Sequence, residues 1–173
     1  MDNKNEKIVN DFGNEWEKFN QIDLNSVELK KIFEDYFDLI KWSDLNLNGN
    51  AIDVGCGTGR WARLVAQRFK KLSLLDGSSK SLKVSKKMLH NFKNIEFIHS
   101  DVTKIPSADN IFDFAYSLGV LHHVPNIDEA MNEINRILKP GSPFLIYLYY
   151  SFDNAPYWYR LIWNASNLFR KNR

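Results

Sequence analysis

Cysteine occurs once in this 173-residue chain, at Cys56. A single thiol excludes a disulfide framework and a cysteine-based zinc site. Long apolar runs are also missing. The longest, Phe144 to Tyr150, is strand-sized and too short to cross a bilayer. No basic stretch followed by an apolar one opens the chain, so no secretory leader is expected, and the sequence reads as cytoplasmic. Nor is charge of one sign in excess: the formal net charge is +2, too small to mark a nucleic-acid binder. Its distribution is uneven. Residues 1–50 carry 11 acidic and 6 basic side chains, a net −5, and the remainder carries +7, a slight bias toward an anionic ligand or surface.

What is present fits one domain with a real core, at 44% hydrophobic and 25% charged residues. Phe12, Trp16 and Phe19 form an aromatic stripe at helical spacing, fit either to pack an N-terminal helix on the body or to close over a site. Ser26 can cap a second helix with Leu29, Ile32, Phe33, Phe37 and Ile40 on its apolar face. Short apolar strands are expected at Ala51–Val54, Leu72–Leu75, Ile95–Ile98, Ile111–Tyr116 and Pro143–Tyr150. Between them lie helical patterns: from Gly59 through Ala62, Val65, Ala66 and Phe69; after Ser78 or Ser79, with Leu82 and Leu89 inward; and from Ile127 to Leu138, stopped by Pro140-Gly141. A last aromatic-rich helix is expected over Tyr157–Phe169, fit to line an acceptor pocket, touch a membrane surface or pack against a neighbour.

Strands that alternate with helices, each a continuous apolar run, argue for an open parallel sheet covered on both faces. Ligands of such sheets bind beyond the carboxyl ends of the strands. Gly55–Gly59, Asp76, Asp101 and Ser117 each follow a different strand and so converge on one crevice. The glycine run, Gly55-Cys56-Gly57-Thr58-Gly59-Arg60, has arginine where a dinucleotide fingerprint needs a small residue. Asp53 just ahead of it would repel a pyrophosphate and welcome a cationic ligand. An NAD-dependent oxidoreductase is thereby the less favoured nucleotide class.

Ile52-Asp53-Val54-Gly55-Cys56-Gly57-Thr58-Gly59 resembles the first motif of class I S-adenosylmethionine-dependent methyltransferases. Leu75-Asp76, His99-Ser100-Asp101-Val102, Phe112-Asp113 through Leu121-His122-His123-Val124, and Ile137-Leu138-Lys139-Pro140-Gly141 resemble later motifs in the same order. The branch resembled is that of small-molecule and quinone-ring methylases. The resemblance implies an α/β fold: a Rossmann-like doubly wound sheet of five mainly parallel strands in the order 3-2-1-4-5 with helices on both faces. The sequence departs from the family in reading as shortened at its C-terminal end, with no counterpart expected for the family's last two strands. The resemblance also implies residues 1–46 as a helical cap or lid, 47–150 as the cofactor-binding core and 151–173 as a closing aromatic helix.

The same resemblance implies S-adenosylmethionine as cofactor, with S-adenosylhomocysteine as product, and methyl transfer to a small-molecule acceptor by in-line displacement. Gly55, Cys56, Gly57 and Gly59 would hold the backbone against the methionine part, and Asp53 would orient its ammonium. Asp76 would accept the ribose hydroxyls. Asp101 and the Val102 N–H would meet the adenine, and Ser117 would line the passage to the methyl group. His122, of the pair His122-His123, is the candidate base, since imidazole titrates in the useful range. No metal is implied. A cofactor-binding module without turnover is the alternative. The open edge of the fifth strand would suit a homo-oligomer.

Overall fold

A computed structural model describes residues 26–149. The aromatic stripe at Phe12, Trp16 and Phe19, the expected helix Tyr157–Phe169, and most of the segments 1–46 and 151–173 lie outside these residues.

Eleven short elements follow Ser26 in order. Helix α1 (Ser26–Phe37) and a 3-10 turn (Trp42–Asp44) precede β1 (Asn50–Val54). Then come α2 (Ala62–Val65), β2 (Lys71–Asp76), α3 (Ser79–Met88), β3 (Ile95–His99) and β4 (Phe114–Leu118). A 3-10 turn (Leu121–His123), α4 (Ile127–Ile137) and β5 (Phe144–Tyr147) complete them. The five strands form one parallel sheet in the order β3-β2-β1-β4-β5, as expected.

β1 sits at the centre and shows why its apolar run is continuous: both faces are covered. Side chains alternate across a strand. On one face Ala51 packs with Leu72, Leu74, Phe114 and Tyr116 beneath Leu29, Phe33 and Phe37 of α1. On the other, Ile52 and Val54 meet Leu75 and Ala115 beneath Ala130, Ile134 and Ile137 of α4. The first face is a run of aromatic contacts. Phe114 stacks on Phe69 at 5.7 Å and on Tyr116 at 5.9 Å between ring centres. Truncating a fully buried ring such as Phe114 to alanine costs about 3–5 kcal/mol. α1 is thus part of the core and does not stand apart from it.

Two elements depart from expectation. The helix after the glycine loop is a single turn, Ala62–Val65, instead of running to Phe69. The Gln67 side chain donates to the Arg63 carbonyl at 3.0 Å, occupying the acceptor that a continuing helix would offer to the Gln67 N–H. A helix this short brings no useful dipole to the site, so the loop must act through its own geometry. β4 begins at Phe114 instead of Ile111, and it runs on through Leu118. Asp113 causes the shift. Its carboxylate accepts from Asn46 Nδ2, Lys139 Nζ and the Asn50 N–H, the last two at 2.7 and 3.0 Å, which anchors the residue below the sheet. Phe112 instead pairs with Leu138 beyond the end of α4. No described helix is long and apolar enough to cross a membrane.

Candidate functional site

The chain leaves β1 through a loop that is fastened to the end of β2. The Gly55 and Cys56 N–H groups both donate to the Leu75 carbonyl, at 2.7 and 3.0 Å. The Gly57 N–H donates to Asp76 Oδ2 at 2.9 Å, and the Ser78 N–H donates to Asp76 Oδ1 at 2.8 Å. The turn also needs glycine. Gly55 has φ +81°, and a Cβ there would lie 2.5 Å from Val120 Cγ1. Gly59 serves packing: a Cβ on it would lie 2.6 Å from Cδ1 of Leu89, the residue that caps the C-terminal end of α3.

Beyond these strand ends lies a cavity of about 240 Å³, lined by Asp53, the loop from Gly55 to Thr58, Asp76, Asp101 and Val102. This is ligand-sized space rather than room for a few waters. Arg60, Trp61, Leu118 to Val120, His123 and Tyr149 also line it. Asp101 is fixed by its own turn, accepting on Oδ1 from both the N–H and the hydroxyl of Thr103 at 2.9 Å.

Burial dominates the electrostatics. Asp53 is only 3% exposed, and its Oδ2 has no hydrogen-bond partner. Desolvation pushes its pKa up to about 8; the Tyr116 phenol works against this shift and the Asp76 charge adds to it. The Tyr116 hydroxyl is fully buried beside it, and burial followed by the Asp53 charge drives the phenol well up. Burial also raises Asp76, although the Ser78 and Gly57 N–H groups oppose the shift. Burial raises the Cys56 thiol, so it stays protonated. A buried acid with an unpartnered oxygen, flanked by two more acids, invites a cation with several hydrogen-bond donors.

The structure brings together most of the residues expected from sequence: Asp53, Gly55, Cys56, Gly57, Asp76, Asp101 and Val102 all border the cavity. Gly59 supports the loop from behind. Two residues lie elsewhere. Ser117 is inside β4 instead of beyond it, fully buried, and its hydroxyl donates to the Val54 carbonyl at 2.8 Å. It braces β4 on β1 and lines no passage. His122 also falls outside the cavity wall. Its ring lies 3.9 Å from that of His123 and 4.8 Å from Tyr149, and neither of its buried ring nitrogens has a hydrogen-bond partner. His123 is the histidine at the cavity. Burial lowers the pKa of both rings, and the His123 charge lowers His122 further.

Sequence reasoning passed over Trp61, Gly119 and Val120 as site residues, and it used Arg60 only to set aside a dinucleotide fingerprint. The signal for Gly119 was its place just after an apolar strand. Arg60 follows the third glycine directly, in a turn that must face the ligand.

Residues 52–146, more than half of the chain, match the family model described as a methyltransferase domain. The chain is similar to the ubiquinone/menaquinone biosynthesis C-methyltransferase UbiE of Rickettsia prowazekii, 31% identical over 157 residues, which covers 78% of this chain and 62% of that protein. It is similar to the demethylmenaquinone methyltransferase of Staphylococcus haemolyticus at 30% identity, covering 80% of this chain and 59% of that one. The sterol 4-C-methyltransferase strm-1 of Caenorhabditis elegans is 31% identical, over 60% of this chain and 32% of its own. The chain therefore spans between about a third and just over three fifths of the length of these curated relatives. Among solved structures, the fold resembles the N-methyltransferase NodS of Bradyrhizobium japonicum in complex with S-adenosylhomocysteine, with a TM-score of 0.62 at 19% identity over 73% of this chain and 64% of that one. With its sheet order, its glycine loop and the matched residues 52–146, the chain belongs to the class I S-adenosylmethionine-dependent methyltransferase family.

Proposed function

We propose that this chain binds S-adenosylmethionine in the cavity above β1, β2 and β3 and transfers its methyl group to a small planar acceptor. One observation carries the reading: three carboxylates, Asp53, Asp76 and Asp101, end or follow three adjacent strands around a loop that only glycine can form at Gly55. When bound, the cofactor supplies a methyl group already activated on a cationic sulfur, open to in-line displacement.

The chain's residues then have distinct tasks. Asp53, with its unpartnered oxygen, takes the ammonium of the methionine part. Asp76 keeps one lone pair on each oxygen beyond its two N–H bonds, enough for two ribose hydroxyls. Asp101 and the Val102 N–H meet the adenine edge. His123 takes the acceptor's proton where there is one to lose; its burial-lowered pKa keeps the imidazole neutral and able to accept. Holding acceptor and methyl in line at contact distance can contribute about 7–11 kcal/mol to the barrier. The relatives named for demethylmenaquinone and sterol methylation support a ring-bearing acceptor.

Calorimetry with S-adenosylmethionine and S-adenosylhomocysteine tests the reading: saturable binding of both is expected, and no binding at high micromolar concentration sinks it. A cofactor-binding module without turnover is the second reading. Tight cofactor binding without methyl release on any ring-bearing acceptor would select it.

A further inference from the structure

We propose that Arg136, with Glu133 beside it on α4, is the positioning residue that lets the cavity tell adenine from purines carrying an oxo group in place of its amine. It does so by fixing the chain just beyond the Val102 N–H. The proposal rests on the cofactor reading above, since it names what holds the adenine wall of that site in place.

Neither Arg136 nor Glu133 lines the cavity, whereas Val102 does. Val102 belongs to a turn that closes on itself. The Lys104 N–H donates to the Asp101 carbonyl at 3.1 Å, and the Ser100 hydroxyl donates to the Lys104 carbonyl at 2.7 Å. The next residue, Ile105, is fastened to α4 at both of its backbone groups. Its N–H donates to Glu133 Oε1 at 2.8 Å, and its carbonyl accepts from Arg136 Nη2 at 3.0 Å. Arg136 Nη1 donates to the Ser107 carbonyl at 2.8 Å and also to Asp109 Oδ1. Its Nε and Nη2 grip the two oxygens of Glu133, at 2.9 and 2.8 Å. Together these are five bonds from five N–H groups, so the whole donor set of the guanidinium is used. The Arg136 bond holds the Glu133 carboxyl below its usual range, which keeps the pair charged. Underneath, Val102 and Ile105 pack in one apolar cluster with Ala130, Ile134 and Ile137 of α4. The turn is thus referenced to the helix by side-chain bonds as well as by packing.

That reference matters to a base. Hydrogen bonds weaken steeply as they bend, so a backbone N–H selects a ligand only while its direction is fixed. Adenine offers a ring-nitrogen acceptor beside an amino donor. Hypoxanthine reverses both, with a ring N–H beside a carbonyl. A held Val102 N–H pairs with the first and opposes the second. A loosened turn swings aside and admits both.

Calorimetry with S-adenosylhomocysteine and S-inosylhomocysteine, which differ only at that edge, reads the effect. The parent chain should prefer S-adenosylhomocysteine by about tenfold or more. Arg136→Met should bind it about tenfold more weakly, with S-inosylhomocysteine affinity within about twofold of the parent value. Arg136→Lys keeps the charge but has three donors without the planar fork, and it should lie nearer to Arg136→Met than to the parent. Glu133→Gln turns a donor toward Arg136 and should lower the preference in the same direction, so the test does not hang on one variant folding well. Loss of folded protein weakens both ligands alike and leaves their ratio unchanged. An unchanged ratio in these variants therefore overturns the proposal, and so does a parent chain without preference. A parent chain that binds neither ligand defeats the cofactor reading and this proposal with it, whereas a parent preference that the variants keep defeats this proposal alone.

Discussion

The Gly57 N–H donates to Asp76 Oδ2 at 2.9 Å, so the carboxylate that ends β2 also holds the glycine loop that follows β1. Asp76 therefore acts twice, shaping the loop and offering lone pairs to the cavity. Asp76→Asn has only one acceptor oxygen and must release either Gly57 or Ser78. Taking each charge-assisted bond at about 1.5–3 kcal/mol, S-adenosylhomocysteine affinity should fall roughly tenfold in Asp76→Asn and roughly a hundredfold or more in Asp76→Ala. Calorimetry reads both, and an Asp76→Ala protein of unchanged affinity would refute the assignment.

Asp53 gives cofactor binding a pH dependence. With a folded-state pKa of about 8, raised first by burial, the apo protein holds this proton at neutral pH. An ammonium ligand favours the carboxylate, so binding releases the proton. Affinity for S-adenosylhomocysteine should rise about tenfold per pH unit up to about pH 8 and then level off. The stability of the apo protein moves the other way. The folded-state value lies above the unfolded one of about 3.9, so the contribution of Asp53 is fully present below about pH 4 and is lost as pH rises through about 8. Asp53→Asn should flatten the binding profile and melt later than the parent chain at about pH 8. Calorimetry in buffers of differing protonation enthalpy, together with thermal melts, checks both signs.

The sheet order and the acids of the cavity were legible in the sequence because each depends on local signals: an apolar run, then an acid or a glycine. Ser117 was misplaced because the run from Ile111 looks uniform. The break after Asp113 comes from partners at Asn46, Asn50 and Lys139, distant in sequence. Two residues of shift moved Ser117 from a strand end into the strand. Of two adjacent histidines on a 3-10 turn, where side chains step by a third of a circle, one faces the cavity, and the sequence does not give the phase. The aromatic cluster around Tyr36 was hard to read for a related reason. Tyr36, Trp61 and Tyr147 come from three distant segments and meet only in the fold.

Asp113 separates stability from binding, since it lies at the opposite end of the strands from the cavity. Burial alone would raise its pKa, but the Lys139, Asn50 N–H and Asn46 bonds outweigh that and hold it below the usual carboxylate range. Its contribution is thus present above the unfolded value of about 3.9 and lost as pH falls through the lower, folded-state value. Asp113→Ala should cost about 1–3 kcal/mol, chiefly by leaving the Asn50 N–H without its acceptor, since water can take over the half-exposed Lys139 ammonium. Urea unfolding at neutral pH measures that loss, while S-adenosylhomocysteine affinity of the folded fraction should stay unchanged.

Gly55→Ala tests the loop itself. At φ +81° an alanine carries backbone strain of about 1–3 kcal/mol. Its Cβ would also lie 2.5 Å from Val120 Cγ1 and 2.6 Å from Val120 Cγ2, so the Val120 side chain must move. Val120 lines the cavity, and displacing it changes the space between the loop and the segment after β4. Stability and S-adenosylhomocysteine affinity should therefore fall together. Pairing Gly55→Ala with Val120→Gly removes all three close contacts, the Val120 Cβ at 2.9 Å included, and leaves the strain. The double variant should recover affinity to within a few-fold of the parent chain while regaining only part of the stability. Equal recovery of both would mean that steric contact, rather than the left-handed backbone, is what reserves this position for glycine.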